Sequence, residues 1–213
     1  LTAQPEEQPL PNKSLLNTVE RTPIPVPKEV VPPAQKQFVK SKRILSVDQA
    51  DKQNVKDVEQ LIRLGQIKAA ENKLQGYLDG HPKAIHSGSL LVSIFLSTKS
   101  YIKAEQLIEK LRLIDHENIG LISNQARVYL QTNRASEAVE LLMSSKPNLQ
   151  NNTAFYELLG LAARQNNQFQ LSLQAYRGLL DIDSSRGDWW VGMAIALDQK
   201  GEVSQAKKAY RQG

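Results

Sequence analysis

Short blocks of apolar residues at helical spacing run from about position 46 to the last residue of the chain. The first block places Val55, Val58 and Leu61 on one face of a helix. Gly65 then favours a turn, because glycine adopts the left-handed conformation at little cost. A second block ends before Pro82, which cannot continue a helix. The pattern therefore predicts a pair of helices joined by a tight turn.

This helix pair recurs every 34 residues without an insertion. A column of small residues keeps the spacing through all copies: Ala70, Ala104, Ala138, Ser172 and Ala206. A fixed period of this length is typical of solenoids, in which one repeat cannot bury its apolar face alone and stacks on its neighbours. The copies occupy residues 51–84, 85–118, 119–152, 153–186 and 187–213, the last being incomplete. We therefore expect a repeat domain over 46–213.

Local residues agree with these boundaries. Ser46 and Gln49 have the spacing of a capping box, in which each side chain satisfies a free N–H of the first helical turn. Asn133 and Asn167 occupy the turn position of the third and fourth repeats, and asparagine tolerates positive φ. Pro147 is expected to end the second helix of the third repeat early.

The repeat resembles the tetratricopeptide repeat, which combines aromatic residues, a Leu-Gly pair and small residues at fixed positions. The fourth copy carries this pattern at Tyr156, Leu159, Gly160, Ser172 and Tyr176. The fifth carries it at Trp190, Ala194, Ala206 and Tyr210. Earlier copies depart from it and hold Asn54, Gly88 and Ile122 at the first aromatic position. The resemblance implies an all-α solenoid, a right-handed superhelix of about five helix-turn-helix repeats.

Residues 1–45 differ in composition and hold eight of the ten prolines. Proline lacks the N–H donor and disfavours helix in the residue before it, so a packed structure is not expected. The segment is predicted to be a disordered, extended spacer. A docking peptide around Ile24 is an alternative, and 12–20 could form a short helix with Leu15, Leu16 and Val19 on one face.

The residue types that carry most catalytic chemistry are missing or scattered. Cysteine is absent, which excludes disulfides, thiol nucleophiles and cysteine zinc sites. His81, His86 and His116 are the three histidines, and no metal-binding motif accompanies them. Neither a Gly-x-Ser-x-Gly elbow nor a glycine-rich phosphate loop occurs. We expect no enzymatic activity, no metal and no cofactor.

The net charge of +5 raises the question of nucleic-acid binding. The positive residues are dispersed except for Lys40, Lys42 and Arg43, and only Phe38 could stack on a base nearby. A solvated surface is therefore favoured over a nucleic-acid partner, which steep salt dependence of DNA binding would reveal.

No apolar run approaches the roughly 18 residues that span a bilayer. The missing initiator methionine and the incomplete last repeat suggest that the chain continues at both ends.

The surface of the solenoid remains as the candidate functional site. In tetratricopeptide repeats the first helices line a concave groove, and positions 2, 5, 9 and 13 of each repeat point into it. These positions and their neighbours predict a protein-binding groove formed by Ser89, Ser93, Ser123, Asn124, Arg127, Gln131, Glu157, Leu161, Arg164, Gln165, Val191 and Ile195. It is polar at its centre and apolar towards the C-terminal end, which suits an extended or helical peptide. A solvated face without a partner is the alternative.

Trp189 and Trp190 are adjacent and cannot both face inward from one helix. Trp190 occupies the core position of the repeat. Trp189 is therefore a candidate exposed anchor for a partner, although it could equally pack against a following helix.

The order of features also resembles the tetratricopeptide proteins of MSHA-type type IV pilus biogenesis. The match lies in the run from Asp188 to Gly201, beginning Asp-Trp-Trp-Val-Gly, and in Ala-Lys-Lys-Ala-Tyr-Arg from Ala206. That family has an N-terminal membrane anchor, a spacer and repeats in the periplasm. The resemblance implies a non-enzymatic assembly factor on the inner membrane that contacts other pilus components. A generic repeat adaptor in another envelope or cytoplasmic complex is the alternative.

Overall fold

The computed structural model describes residues 45–213. Order within this range begins at Ser46, whose Oγ accepts the N–H of Gln49 at 3.2 Å while Gln49 Oε1 accepts the N–H of Ser46 at 3.2 Å. This confirms the predicted capping box. The predicted spacer, the short helix at 12–20 and the docking peptide around Ile24 lie outside the described residues.

Ten α-helices follow, and no strand occurs between residues 45 and 213. The bounds of the helices are α1 Val47–Arg63, α2 Ile67–Gly80, α3 Ile85–Ser97, α4 Tyr101–Arg112, α5 Ile119–Gln131, α6 Ala135–Ser145, α7 Thr153–Gln165, α8 Phe169–Ile182, α9 Gly187–Gln199 and α10 Val203–Tyr210. A 3₁₀ helix, Leu149–Asn151, lies between α6 and α7. Consecutive helices pack in pairs, so the all-α solenoid of five helix-turn-helix repeats is as predicted.

The small residues of the repeat lie where helices meet. Ala70, Ala104, Ala138, Ser172 and Ala206 are each no more than 1% exposed. Gly160 faces the ring of Tyr176 so closely that an added Cβ would lie 2.8 Å from Tyr176 Cε2, and Gly192 faces the same ring from the next repeat. A larger residue at these glycines would force the helices apart. The apolar core continues from repeat to repeat along the solenoid.

In each repeat a residue with positive φ joins the two helices. The column is Gly65 at 72°, Lys99 at 56°, Asn133 at 59°, Asn167 at 57° and Gly201 at 90°. The predictions for Gly65, Asn133 and Asn167 are confirmed. Lys99 was not anticipated, because a lysine shows no preference for this conformation.

The third repeat ends differently from the others. Its second helix, α6, stops at Ser145, and Lys146 has a φ of 33° just before Pro147. The carbonyl of Pro147 accepts the hydroxyl of Tyr156 at 2.7 Å, which ties the loop to α7. The predicted early end at Pro147 is confirmed.

A buried polar cluster joins the first two repeats. Asp51 of α1 is 3% exposed, and its carboxylate accepts the N–H of His86 at 2.9 Å and the N–H of Ser87 at 3.0 Å. The Ser87 hydroxyl also donates to this carboxylate and accepts from Asn54 Nδ2 at 3.0 Å. Because Ala84 provides no side-chain cap, Asp51 satisfies free N–H groups of α3 from the neighbouring repeat.

The substitution Lys99→Gly is expected to raise the free energy of unfolding. Glycine removes a left-handed strain of about 1–2 kcal/mol, less about 0.4–1 kcal/mol of added unfolded-state entropy. The net gain is roughly 0.5–1 kcal/mol, measured by urea unfolding. Gln106→Gly within α4 is the control and should lose about 1 kcal/mol. A loss of stability in Lys99→Gly would contradict the assigned strain.

The substitution Asp51→Ala is expected to destabilise the protein by about 1–3 kcal/mol, since it leaves buried N–H groups of α3 without an acceptor. Thermal and urea unfolding would measure the change. Asp57→Ala removes an exposed carboxylate from the same helix and should change stability by no more than about 0.5 kcal/mol. Equal effects of the two substitutions would rule out the capping role of Asp51.

Candidate functional site

The first helices of the repeats lie side by side and form one face of the solenoid. Each of α1, α3, α5 and α7 contacts the first helix of the following repeat. In contrast, no Cα of α2, α4, α6 or α8 lies within 8 Å of the second helix of the following repeat. The first helices are therefore on the shorter, inner arc and the second helices on the outer one.

All twelve residues predicted to line the groove lie on first helices, namely Ser89 and Ser93 on α3, Ser123, Asn124, Arg127 and Gln131 on α5, Glu157, Leu161, Arg164 and Gln165 on α7, and Val191 and Ile195 on α9. Their exposure differs. Ser93, Arg127, Gln131, Gln165 and Val191 are exposed, while Ser89, Glu157, Leu161, Arg164 and Ile195 are half-buried.

Ser123 and Asn124 are buried, each 9% exposed, because α5 packs between α3 and α7. They offer little side chain to a ligand, and their contact with one stays a prediction. Asn124 Oδ1 instead accepts Arg127 Nη1 at 3.3 Å. Asn124 therefore helps to orient the exposed guanidinium of Arg127.

A pocket of about 320 Å³ opens on the inner face between α5, α7 and α9. It brings together the predicted residues Arg127, Glu157 and Leu161. The remaining lining residues are Ala154, Leu158, Tyr176, Asp188 and Trp189. Cationic, anionic and apolar groups thus converge at one point of the groove.

Trp189 is not the exposed anchor that was proposed. It is 3% exposed, and its Nε1 donates to Glu157 Oε1. It occupies position 3 of its repeat, where Ser87, Leu121 and Phe155 of repeats two to four are also 0–3% exposed, although Gln53 of the first repeat is exposed. The apolar Leu121 and Phe155 in this column of the 34-residue alignment were the signal that could have placed it.

The neighbouring Trp190 is half-buried and packs against two core clusters. Its Nε1 donates to the carbonyl of Ser184 at 2.8 Å. Both indoles thus have hydrogen-bond partners, and both contribute to the packing of the fifth repeat.

Arg186 organises the polar side of the pocket. Its Nε and Nη2 donate to the two carboxylate oxygens of Asp188 at 2.9 and 2.6 Å. Its guanidinium lies 4.4 Å from the centre of the Trp189 ring and 3.6 Å from Glu157 Oε1. Arg186 and Asp188 are not among the residues predicted from the sequence, although Asp188 stands at position 2 of its repeat, one of the positions expected to face the groove.

These contacts keep the pocket charged. The hydrogen bonds from Arg186 lower the pKa of Asp188, and the same bonds raise the pKa of Arg186. Burial raises the pKa of the Tyr176 hydroxyl beneath them. At neutral pH the pocket therefore presents ionised Asp188 and Arg186 beside a neutral phenol, a set suited to hydrogen bonding with a polypeptide and its side chains.

No group of three or more histidine, aspartate or glutamate side chains within residues 45–213 could hold a metal ion. None of the ten helices described above is both long and apolar enough to cross a membrane.

Comparison with solved structures identifies the fold of the chain. No protein-family model and no curated protein matches the chain. A structure of MamA from Desulfovibrio magneticus RS-1 matches with a TM-score of 0.65 and 14% identity, over 76% of this chain and 92% of that one. The structure of pilF from Pseudomonas aeruginosa matches with a TM-score of 0.66 and 18% identity, over 78% of this chain and 77% of that one. YrrB, described as a TPR protein with an unusual peptide-binding site, matches with a TM-score of 0.61 and 14% identity. The match covers 75% of this chain and 82% of that one.

The chain has the tetratricopeptide-repeat fold. In this tetratricopeptide-repeat structure the pocket lies between the third, fourth and fifth repeats, and the last two of these match the repeat pattern most fully. Tyr176, one of the aromatic residues of the pattern, also forms part of the pocket wall. This side chain therefore contributes both to the packing of the repeats and to the chemistry of the surface.

Fluorescence can test the assigned positions of the two tryptophans. The variant Trp190→Phe retains only Trp189, whose emission should be blue-shifted and resistant to iodide quenching because the indole is buried. The matched variant Trp189→Phe retains Trp190, which should be quenched more strongly. The burial of Trp189 would be contradicted if the two variants were quenched equally while both kept native circular dichroism.

Proposed function

We propose that the protein is a non-enzymatic interaction scaffold that binds an extended or helical polypeptide on its inner face. The observation that carries the proposal is the pocket between α5, α7 and α9. It combines the exposed Arg127, the fixed carboxylates of Glu157 and Asp188, and the apolar surface of Leu161. Such a combination suits side-chain hydrogen bonds around an apolar anchor.

The rest of the inner face supports the same function. The hydroxyl of Ser93 bonds back to the carbonyl of Ser89 at 3.1 Å, which leaves this part of α3 small and uncharged. Val191 and Ile195 provide an apolar strip on α9. A ligand lying along the first helices would meet polar groups at its centre and apolar groups at one end. YrrB, which shares the fold, is described as having a peptide-binding site.

The more specific form of the proposal is assembly of an MSHA-type type IV pilus, in the manner of the biogenesis protein MshN. It rests on the resemblance in the run Asp188–Gly201 and on the proline-rich segment that precedes the repeats. The repeats would then lie in the periplasm, held at the inner membrane by an N-terminal anchor, and the partners would be other pilus assembly components.

Capture of pilus components tests this specific form. The tagged protein would be co-produced with the assembly proteins of an MSHA pilus cluster and recovered from membranes solubilised in mild detergent. We expect at least one of these proteins to be enriched over a tag-only control. Absence of enrichment, with the bait folded, would count against the pilus role and leave the scaffold proposal to be judged with other ligands.

The substitution Arg127→Glu is expected to weaken binding of the captured partner at least fivefold, about 1 kcal/mol, because it reverses the charge at the exposed edge of the pocket. Its melting temperature should stay close to that of the parent, since exposed substitutions change stability by about 0.5 kcal/mol or less. Arg177→Glu makes the same change on the second helix α8 and should bind normally. Equal affinities for all three proteins would remove Arg127 from the binding surface.

A further inference from the structure

The charged residues of the first helices around the pocket differ in whether they have a partner within the chain. On α5, α7 and α9 they are Arg127, Glu157, Arg164, Asp188 and Asp198. Asp188 accepts two hydrogen bonds from Arg186, at 2.9 and 2.6 Å. Glu157 accepts the indole N–H of Trp189 and lies 3.6 Å from Arg186 Nη2. Both carboxylates of the pocket therefore have donors of the chain beside them.

The two arginines of these helices have no such partner. Arg127 Nη1 donates to the amide oxygen of Asn124 at 3.3 Å, and Arg164 Nη1 donates to that of Gln199 at 3.5 Å. Neither guanidinium lies within 4 Å of a carboxylate in the range 45–213. Asp198 is exposed near the end of α9 and does not line the pocket. Two cations of the inner face are therefore left for a ligand to pair with.

The hydroxyl of Tyr176 is a third group without a partner. Tyr176 lines the pocket and is 7% exposed, and its hydroxyl forms no hydrogen bond with another residue of the described repeats. Burial raises the pKa of this hydroxyl, the charge of Arg164 lowers it, and the carboxylates of Glu157 and Asp188 raise it. Arg164 thus lies near enough to act on the same site. A phenol in so enclosed a position gains stability from any acceptor that a ligand supplies.

We propose that the polypeptide bound at the pocket is acidic, an inference that rests on the scaffold function proposed above. Aspartate or glutamate side chains of this ligand pair with Arg127 and Arg164, and one ligand oxygen accepts the Tyr176 hydroxyl. Leu161 stands one turn before Arg164 on α7 and holds the same position of its repeat as Arg127 does on α5. An apolar side chain of the ligand rests on Leu161, beside its acidic residues.

A basic ligand fits this surface less well. Its lysines or arginines would meet Arg127 and Arg164, which repel them. To pair with Asp188 they would have to displace Arg186, which two charge-assisted hydrogen bonds hold in place. The net charge of +5 also favours the approach of an acidic partner over a basic one.

Selection from a library of random peptides tests the charge of the ligand, with the whole chain as bait. The peptides are displayed through their C-termini, so that every selected carboxylate belongs to a side chain. We expect the bound peptides to be enriched in aspartate and glutamate and depleted in lysine and arginine relative to the unselected library. Apolar residues should be enriched next to the acidic ones.

The double variant Arg127→Glu/Arg164→Glu should lose this acidic preference, because the two cations of the inner face are reversed. Arg177→Glu/Lys207→Glu makes the same change of net charge on α8 and α10 and should keep the preference. Both variants are first checked for native circular dichroism. Loss of the preference in both would overturn the inference, because net charge and not the inner face would then select the ligand.

The remaining outcomes separate this inference from the scaffold function. Selected peptides that are neutral or basic would overturn the acidic ligand and leave the scaffold function in place. Peptides recovered only from a second library with free C-termini would also overturn it, since the arginines would then bind a terminal carboxylate. Recovery of no peptide from either library would count against the scaffold function itself and against the inference with it.

The role of the hydroxyl is tested with one selected acidic peptide and the variant Tyr176→Phe. We expect its affinity, measured by fluorescence anisotropy, to fall about fivefold, because one hydrogen bond to the ligand is lost. Tyr156→Phe is the control: it removes a hydroxyl that donates to the Pro147 carbonyl outside the pocket, and it should bind normally. Unchanged affinity in Tyr176→Phe would overturn the assigned contact between this hydroxyl and the ligand.

Discussion

The structure depends on the close approach of helices that small residues permit. Gly160 and Gly192 both face the ring of Tyr176, which thus packs between the first helices of the fourth and fifth repeats. The second repeat has the same arrangement, since Gly88 of α3 stands at the aromatic position and Leu111 of α4 fills the space in front of it. In both repeats a glycine on the first helix makes room for a large side chain of the second helix. A copy that lacks the first aromatic residue of the pattern therefore still packs closely.

Much of the fold could be predicted because each repeat must solve the same packing problem. The alanine column, the capping box at Ser46 and the asparagines at the turns all reflect local requirements that one residue type meets best. Lys99 escaped prediction because its neighbours, rather than its own preference, hold it at positive φ. Tertiary packing overrode local propensity there.

The candidate site was less predictable, for a physical reason. Helical spacing tells which side of α5 faces the groove, but not how deeply α3 and α7 cover it, so Ser123 and Asn124 appeared accessible. The contact from Trp189 to Glu157, which shapes the pocket, joins residues of two repeats. Such a side-chain pair depends on the distance between repeats, which the period alone does not provide. The predicted partner class rests on the surface that results from them.

The buried carboxylate of Asp51 has a consequence for how the solenoid comes apart. In repeat proteins each unit is held mainly by its neighbour, so the ends open first. Separating α1 from α3 would expose two backbone N–H groups and a hydroxyl that Asp51 now satisfies. Asp51 therefore couples the first two repeats and opposes the separation of α1 from α3.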